Sequence, residues 1–200
     1  MRTLAFCPLA VFVAGCGHLG LNPEEAAAGR AGAVTVRGAP MTLLGAEPAL
    51  GAAAPDFRVV DAQYNPVRLS DFRGKPVLIS VVPSLDTGVC ALQTKRFDEE
   101  LARLPADVVA LTISMDLPFA QKRFCEAQGI GRVRTLSDVV DREFGRRYGL
   151  LIKERGLLAR AILVVGRDGA LRYREVVREV SSHPDYDQAL EAIRATASLP

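Results

Sequence analysis

Cysteines occur at positions 7, 16, 90 and 125, and Cys90 has neighbours suited to thiol chemistry. It closes the segment Pro83-Ser-Leu-Asp-Thr87-Gly-Val-Cys90. Directly ahead runs Val77–Val82, nearly all apolar or β-branched and bounded by Pro76 and Pro83. Such a run predicts a strand buried on both faces. Residues 91–104 then place Leu92, Phe97, Leu101 and Leu104 at roughly helical spacing among charged side chains, which predicts an amphipathic helix. Cys90 therefore stands in the first turn of a helix that follows a central strand. Unpaired backbone N–H groups and the positive end of the helix dipole favour an anion there, hence a thiolate over a thiol. Thr87, three residues earlier, has a hydroxyl able to donate to the sulfur. Pro83 bends the chain away from the strand and adds no N–H. A free cysteine without such neighbours is usually a small buried hydrophobe.

Two further residues invite chemistry. Arg160 interrupts the run Leu157-Leu-Ala-Arg160-Ala-Ile-Leu163 at the mouth of a predicted buried strand. A charge there is costly unless it is paired with an acid or used at a site. Cys125 lies on the predicted helix Phe119–Gln128, near the aromatic bulk of Phe119 and Phe124. No C-x-x-C pair occurs, and His18 and His183 are far apart, so no zinc ligand set emerges.

The spacing Pro83-x3-Thr87-x2-Cys90 resembles the peroxidatic-cysteine motif of the peroxiredoxins. The full string Pro-Ser-Leu-Asp-Thr-Gly-Val-Cys is most similar to their thiol peroxidase branch. Asp116-Leu-Pro-Phe-Ala-Gln-Lys-Arg-Phe-Cys125 and the Leu-Ala-Arg160-Ala run resemble the same branch, and the likeness covers roughly Val34 to the C-terminus. It implies a thiol-dependent peroxidase acting on hydrogen peroxide and organic hydroperoxides without metal, haem or flavin. In it Cys90 is peroxidatic and Cys125 resolving, joined as an intramolecular Cys90–Cys125 disulfide. Pro83 shields the thiolate, Thr87 orients peroxide, and Arg160 steadies the thiolate and polarises the O–O bond. A thioredoxin or similar dithiol is the implied reductant, and a homodimer the implied assembly. The competing activity on such a scaffold, thiol-disulfide exchange in the cell envelope, normally uses two cysteines one helical turn apart. Thr87 occupies that second position. A disulfide needs Cα atoms within roughly 4.4–6.8 Å, so two cysteines on separate helices imply partial unwinding of one or both helix ends.

The elements that must hold these residues follow from pattern. With 200 residues and 49% hydrophobic content the chain supports one domain with a sizeable core. A net charge of +2, with 25 basic residues interleaved among 23 acids, gives no footprint for nucleic acid. Residues 1–15 have a basic start and a short apolar run, as in a secretory signal peptide. Val13-Ala-Gly-Cys16 resembles the lipobox of bacterial lipoproteins, which implies lipidation at Cys16, a lipid anchor as the sole membrane contact, and a cell-envelope location facing the periplasm or exterior. A cytoplasmic protein is the alternative if that reading fails. Residues 16–33, rich in Gly, Ala, Pro and Glu, read as a tether, and the domain spans 34–200. Within it, 34–44 predict a β-hairpin. Short strands follow at 57–60 and 67–69, then strands at 108–114, 133–136, 161–165 and 171–177. Helices are predicted at 119–128, stopping at Gly129, and at 141–148 and 185–197. Alternating strands and helices closed by a hairpin predict an α/β thioredoxin-like fold: a central mixed sheet flanked by helices, with an N-terminal β-hairpin.

Overall fold

The computed structural model describes residues 29–199. Residues 1–28, which contain the predicted signal peptide, Cys16 and most of the tether, lie outside that range. Its strands are β1 (Arg30–Val36), β2 (Ala39–Leu44), β3 (Arg58–Val60), β4 (Pro66–Arg68), β5 (Val77–Val81), β6 (Val109–Ser114), β7 (Arg134–Ser137), β8 (Leu151–Ile152), β9 (Leu157–Leu158), β10 (Ala161–Val165) and β11 (Leu171–Val176). The helices are α1 (Gly88–Leu101), α2 (Pro118–Gln128), α3 (Glu143–Arg147) and α4 (Tyr186–Ala197).

The main sheet has the order β11-β10-β5-β6-β7-β3-β4. β5, β6 and β7 are parallel, and antiparallel strands extend them on both sides. Every residue of β5 is buried, as a strand covered on both faces must be. One face carries Val77, Ile79, Leu111 and Ile113 against Phe144 and Tyr148, whose rings stack at 4.7 Å. The other carries Leu78, Ala110 and Ile162 beneath Phe97 of α1 and Ile193 of α4. The α/β thioredoxin-like arrangement with a central mixed sheet is thus present, and α1 springs from the C-terminal end of its central strand.

Three local expectations are corrected. The N-terminal hairpin begins at Arg30, so residues 30–33 are strand and not tether; the small residues Ala31, Gly32 and Ala33 hid a pairing that β2 supplies from across the turn. That hairpin does not stand alone: Leu43 and Leu44 pair with β8, which pairs with β9, making a second, four-stranded sheet. Two-residue strands are too short to leave a periodic signature. Leu92, expected on the inward stripe of its helix, is 59% exposed, while Gln93 and Thr94 are buried in its place.

Asp138, just after β7, is buried and its carboxylate accepts the Phe144 and Gly145 N–H groups at 3.1 and 2.8 Å, anchoring α3. Burial pushes its pKa up from 3.8 to about 7, against those two hydrogen bonds. A raised folded pKa means that the group's contribution to stability is fully present below about pH 4 and lost as pH rises through about 7. Urea unfolding at pH 5 and pH 8 should show this loss, on the order of 2–4 kcal/mol. It should shrink in Asp138→Asn; an unchanged pH dependence in that variant would contradict the assignment.

Candidate active site

Thr87 is the extended N-cap residue of α1, with φ −113° and ψ 143°. An N-cap threonine normally bonds a first-turn N–H, but Thr87 makes no such bond. Its Oγ1 instead lies 2.8 Å from Cys90 Sγ and 3.1 Å from the Ser84 carbonyl. A hydroxyl has one proton. When the sulfur is an anion the proton goes to Sγ, and the Ser84 carbonyl still accepts the Thr87 N–H at 3.2 Å.

Cys90 is fully buried, packed with Val82 and Leu85, and Phe124 of α2 closes over the cluster. Pro83 is buried in the loop between β5 and α1. From the far side comes Arg160, 2% exposed and immediately ahead of β10. Its Nη2 donates to Cys90 Sγ at 3.3 Å, Nη1 to Gln93 Oε1 at 2.6 Å, and Nε to the Val180 carbonyl at 2.9 Å. These partners are a sulfur, an amide and a carbonyl. The ordinary fate of such an arginine, pairing with Asp or Glu, is therefore not what holds it. A guanidinium keeps its proton, so its attraction for a sulfur anion does not vanish by proton transfer.

Gln93 was not among the residues the motifs named, yet it orients Arg160. Its Nε2 donates to Ser80 Oγ at 2.7 Å on β5, which turns Oε1 toward the guanidinium. One signal was readable: Gln93 lies three residues after Cys90 and four before Phe97, a polar residue at a position whose helical neighbours are buried. The Val180 carbonyl left no such signal, because backbone groups carry none. Its loop is fixed by Glu179, whose carboxylate accepts from Ser181, from the Arg37 and Gly38 N–H groups, and from Thr35 Oγ1. Those bonds, Ser181's foremost, hold Glu179 well below the usual carboxylate range.

Cys125 is placed apart. It lies near the end of α2, half-buried, with Sγ 3.3 Å from Thr135 Oγ1 on β7. Burial pushes this thiol up; the bond from Thr135 opposes the shift, and Asp98 and Glu126 add to it. Gly129, with φ 65°, ends the helix in the left-handed conformation and donates its N–H to the Cys125 carbonyl. Asp98 of α1 accepts the Gly131, Arg132 and Val133 N–H groups at 3.1, 2.6 and 2.8 Å, pinning the chain that follows. The fold thus brings Thr87, Cys90 and Arg160 together with Pro83 in the same loop. Cys90 and Cys125 are free thiols with separate partners.

Residues 49–190 match the Redoxin family. The thiol peroxidase of Oceanobacillus iheyensis is 53% identical over 157 residues, spanning 78% of this chain and 95% of that protein. The thiol peroxidase of Bacillus subtilis is 49% identical over 162 residues, 81% of this chain and 96% of that one. Among solved structures, a peroxiredoxin-like protein from Aquifex aeolicus superimposes with a TM-score of 0.77 at 37% identity, covering 82% of this chain and 96% of that one. With that breadth of match around a buried, arginine-bonded cysteine, the chain belongs to the Redoxin family, in its thiol peroxidase branch, and is a thiol-dependent peroxidase.

Proposed function

We propose that Cys90 is the sulfur that meets peroxide and Cys125 the one that resolves it. The observation that carries this reading is the position of Cys90 Sγ between the Thr87 hydroxyl and the Arg160 guanidinium. The Cys90 thiolate attacks one oxygen of ROOH; an S–O bond forms, the O–O bond breaks, and RO⁻ leaves to take a proton as ROH. Sulfur is oxidised to a sulfenic acid as peroxide is reduced. Thr87 and Arg160 donate to the attacking sulfur and to the oxygen on which charge develops. Pro83 keeps water from the thiolate. Cys125 then attacks the sulfenic sulfur, giving the Cys90–Cys125 disulfide and one water. A thioredoxin-like dithiol reduces that disulfide and is itself oxidised.

Two finer readings accompany the chemistry. Lipidation at Cys16 would tether the enzyme to a membrane surface from the cell-envelope side; the basic, apolar, small-residue order of Met1–Cys16 supports it. A homodimer is supported by exposed apolar residues: Leu117 and Phe119 are 53% and 58% exposed, and Phe119 packs its ring 5.4 Å from that of Tyr64.

Stopped-flow assays with hydrogen peroxide and an alkyl hydroperoxide test the assignments. Cys90→Ser should consume no peroxide, and Cys125→Ser should complete one turnover per chain and stall. Thr87→Val and Arg160→Ala should slow the first step about 100-fold or more, the usual cost of removing one donor to developing charge, with Thr87→Ser recovering most of the loss. Steady turnover by Cys90→Ser would refute the mechanism. For the anchor, cells grown with labelled palmitate should label the wild-type chain but not Cys16→Ala; equal labelling of both, or none of either, rejects lipidation. Sedimentation of the domain should give a dimer that Phe119→Glu dissociates, and a monomeric wild type would rule the dimer out.

A further inference from the structure

The loop Pro83–Thr87 turns largely on itself. The Ser84 carbonyl accepts the Thr87 N–H at 3.2 Å, and Ser84 Oγ accepts the Asp86 N–H at 3.3 Å. Beyond the bonds of Thr87 to α1, the loop is tied to the rest of the domain by the buried Leu85 N–H, which donates at 2.7 Å to Asp116 Oδ2. The same oxygen accepts Ser114 Oγ at 2.8 Å, and Ser114 Oγ accepts Gln121 Nε2 of α2 at 3.0 Å. Gln121, 1% exposed, also donates to the Leu136 carbonyl at 2.8 Å. One carboxylate therefore joins the loop that holds Cys90 to the helix that carries Cys125. Apolar contact runs in parallel, since Phe124, adjacent to Cys125, packs on Leu85, Val82 and Cys90.

The two sulfurs are not poised to meet in this arrangement. Cys90 lies beyond the end of β5, while Cys125 is bonded to Thr135 on β7. Those strands are two spacings apart, roughly 10 Å at ~4.8 Å per spacing, whereas a disulfide closes its sulfurs to about 2 Å. Whatever holds the Cys90 loop to α2 in the thiol arrangement preserves the site for peroxide and must give way before the disulfide forms.

We propose that Asp116 is a positioning residue that sets the balance between the two steps of the reaction. By holding the Leu85 N–H and, through Ser114, Gln121, it keeps the Cys90 loop and α2 in the arrangement that reacts with peroxide, and it slows the rearrangement that joins Cys90 to Cys125. This rests on the assignment of those two cysteines above. A carboxylate accepts about twice as strongly as a neutral oxygen. Asp116→Asn should therefore act as a weaker version of Asp116→Ala.

The test is single-turnover kinetics of the reduced enzyme, with sulfenic acid formation and disulfide formation read as separate phases. Asp116→Ala should slow the first phase several-fold and speed the second several-fold, with Asp116→Asn between it and the wild type. At high peroxide, wild-type Cys90 sulfenic acid should be oxidised further, Cys–SOH plus ROOH giving Cys–SO2H plus ROH. The faster-resolving variants should accumulate less sulfinic acid by mass spectrometry. A substitution that merely loosened packing would slow both phases or leave the sulfinic yield unchanged, and either result, or two unchanged phases, overturns the proposal. Should Asp116→Ala not fold, the same outcomes are read on Asp116→Asn. Cys90→Ser run alongside separates the failures: if it turns over peroxide, the cysteine assignment falls and this proposal with it, while if it is inert, a wrong sign at Asp116 rejects this proposal alone.

Discussion

A guanidinium buried at the mouth of β10 without a bonded carboxylate is the constraint on which the site depends. Removing one partner of a buried ion pair costs about 3–5 kcal/mol because the other charge is left stranded. Arg160 avoids that penalty only if something nearby is negative, and Nη2 points at Cys90 Sγ. The same contact that makes Arg160 tolerable is thus one that negative charge on the sulfur would strengthen. Its other donors are used on the Gln93 amide and the Val180 carbonyl, which aim the group without neutralising it. Had an acid taken that place, the cation would be satisfied and the sulfur would gain little.

The two thiols of the domain are held in opposite surroundings. Cys90, although fully buried, touches a cation and a hydroxyl in the first turn of a helix, while half-buried Cys125 has a threonine hydroxyl beside it and two acids nearby. Under the proposed assignment, an electrophilic oxygen meets one nucleophile rather than two, and the second stays in reserve until the first is oxidised. Oxidation also changes the balance that holds Cys90 in place. If Cys90 is the sulfur oxidised, as proposed, the neutral sulfenic acid offers Arg160 no anion, and the contact weakens at the step that joins the two sulfurs.

Elements far from the sulfur contribute through Arg160. The β1–β2 hairpin is tied by Glu179 to the chain whose next carbonyl, Val180, receives the Nε proton. Val180 itself packs against Val34, Met41 and Ile152 of the four-stranded sheet. The second sheet therefore supports the wall of the site, and Ser80 on β5 supports it from the opposite side through Gln93.

Much of this was legible in the residues alone. The central strand, the helix start at Cys90, the stop at Gly129 and the closing hairpin all leave local marks, because apolar periodicity, glycine and proline act over a few positions. Motif spacing singled out Thr87, Cys90 and Arg160 for the same reason: Thr87 and Cys90 share one turn, and a lone charge in an apolar run is conspicuous. The two-residue strands β8 and β9, the Val180 carbonyl and the tie from Asp116 to Leu85 were not legible. Each is a contact between segments distant in sequence, often through backbone groups that every residue carries. Chain order alone determined which sulfur stands at a helix start, and with it the class of chemistry. Only the folded arrangement decided that Arg160 would face that sulfur instead of an acid, and that Cys125 would be kept apart from it, because both are set by packing between elements rather than by neighbours along the chain.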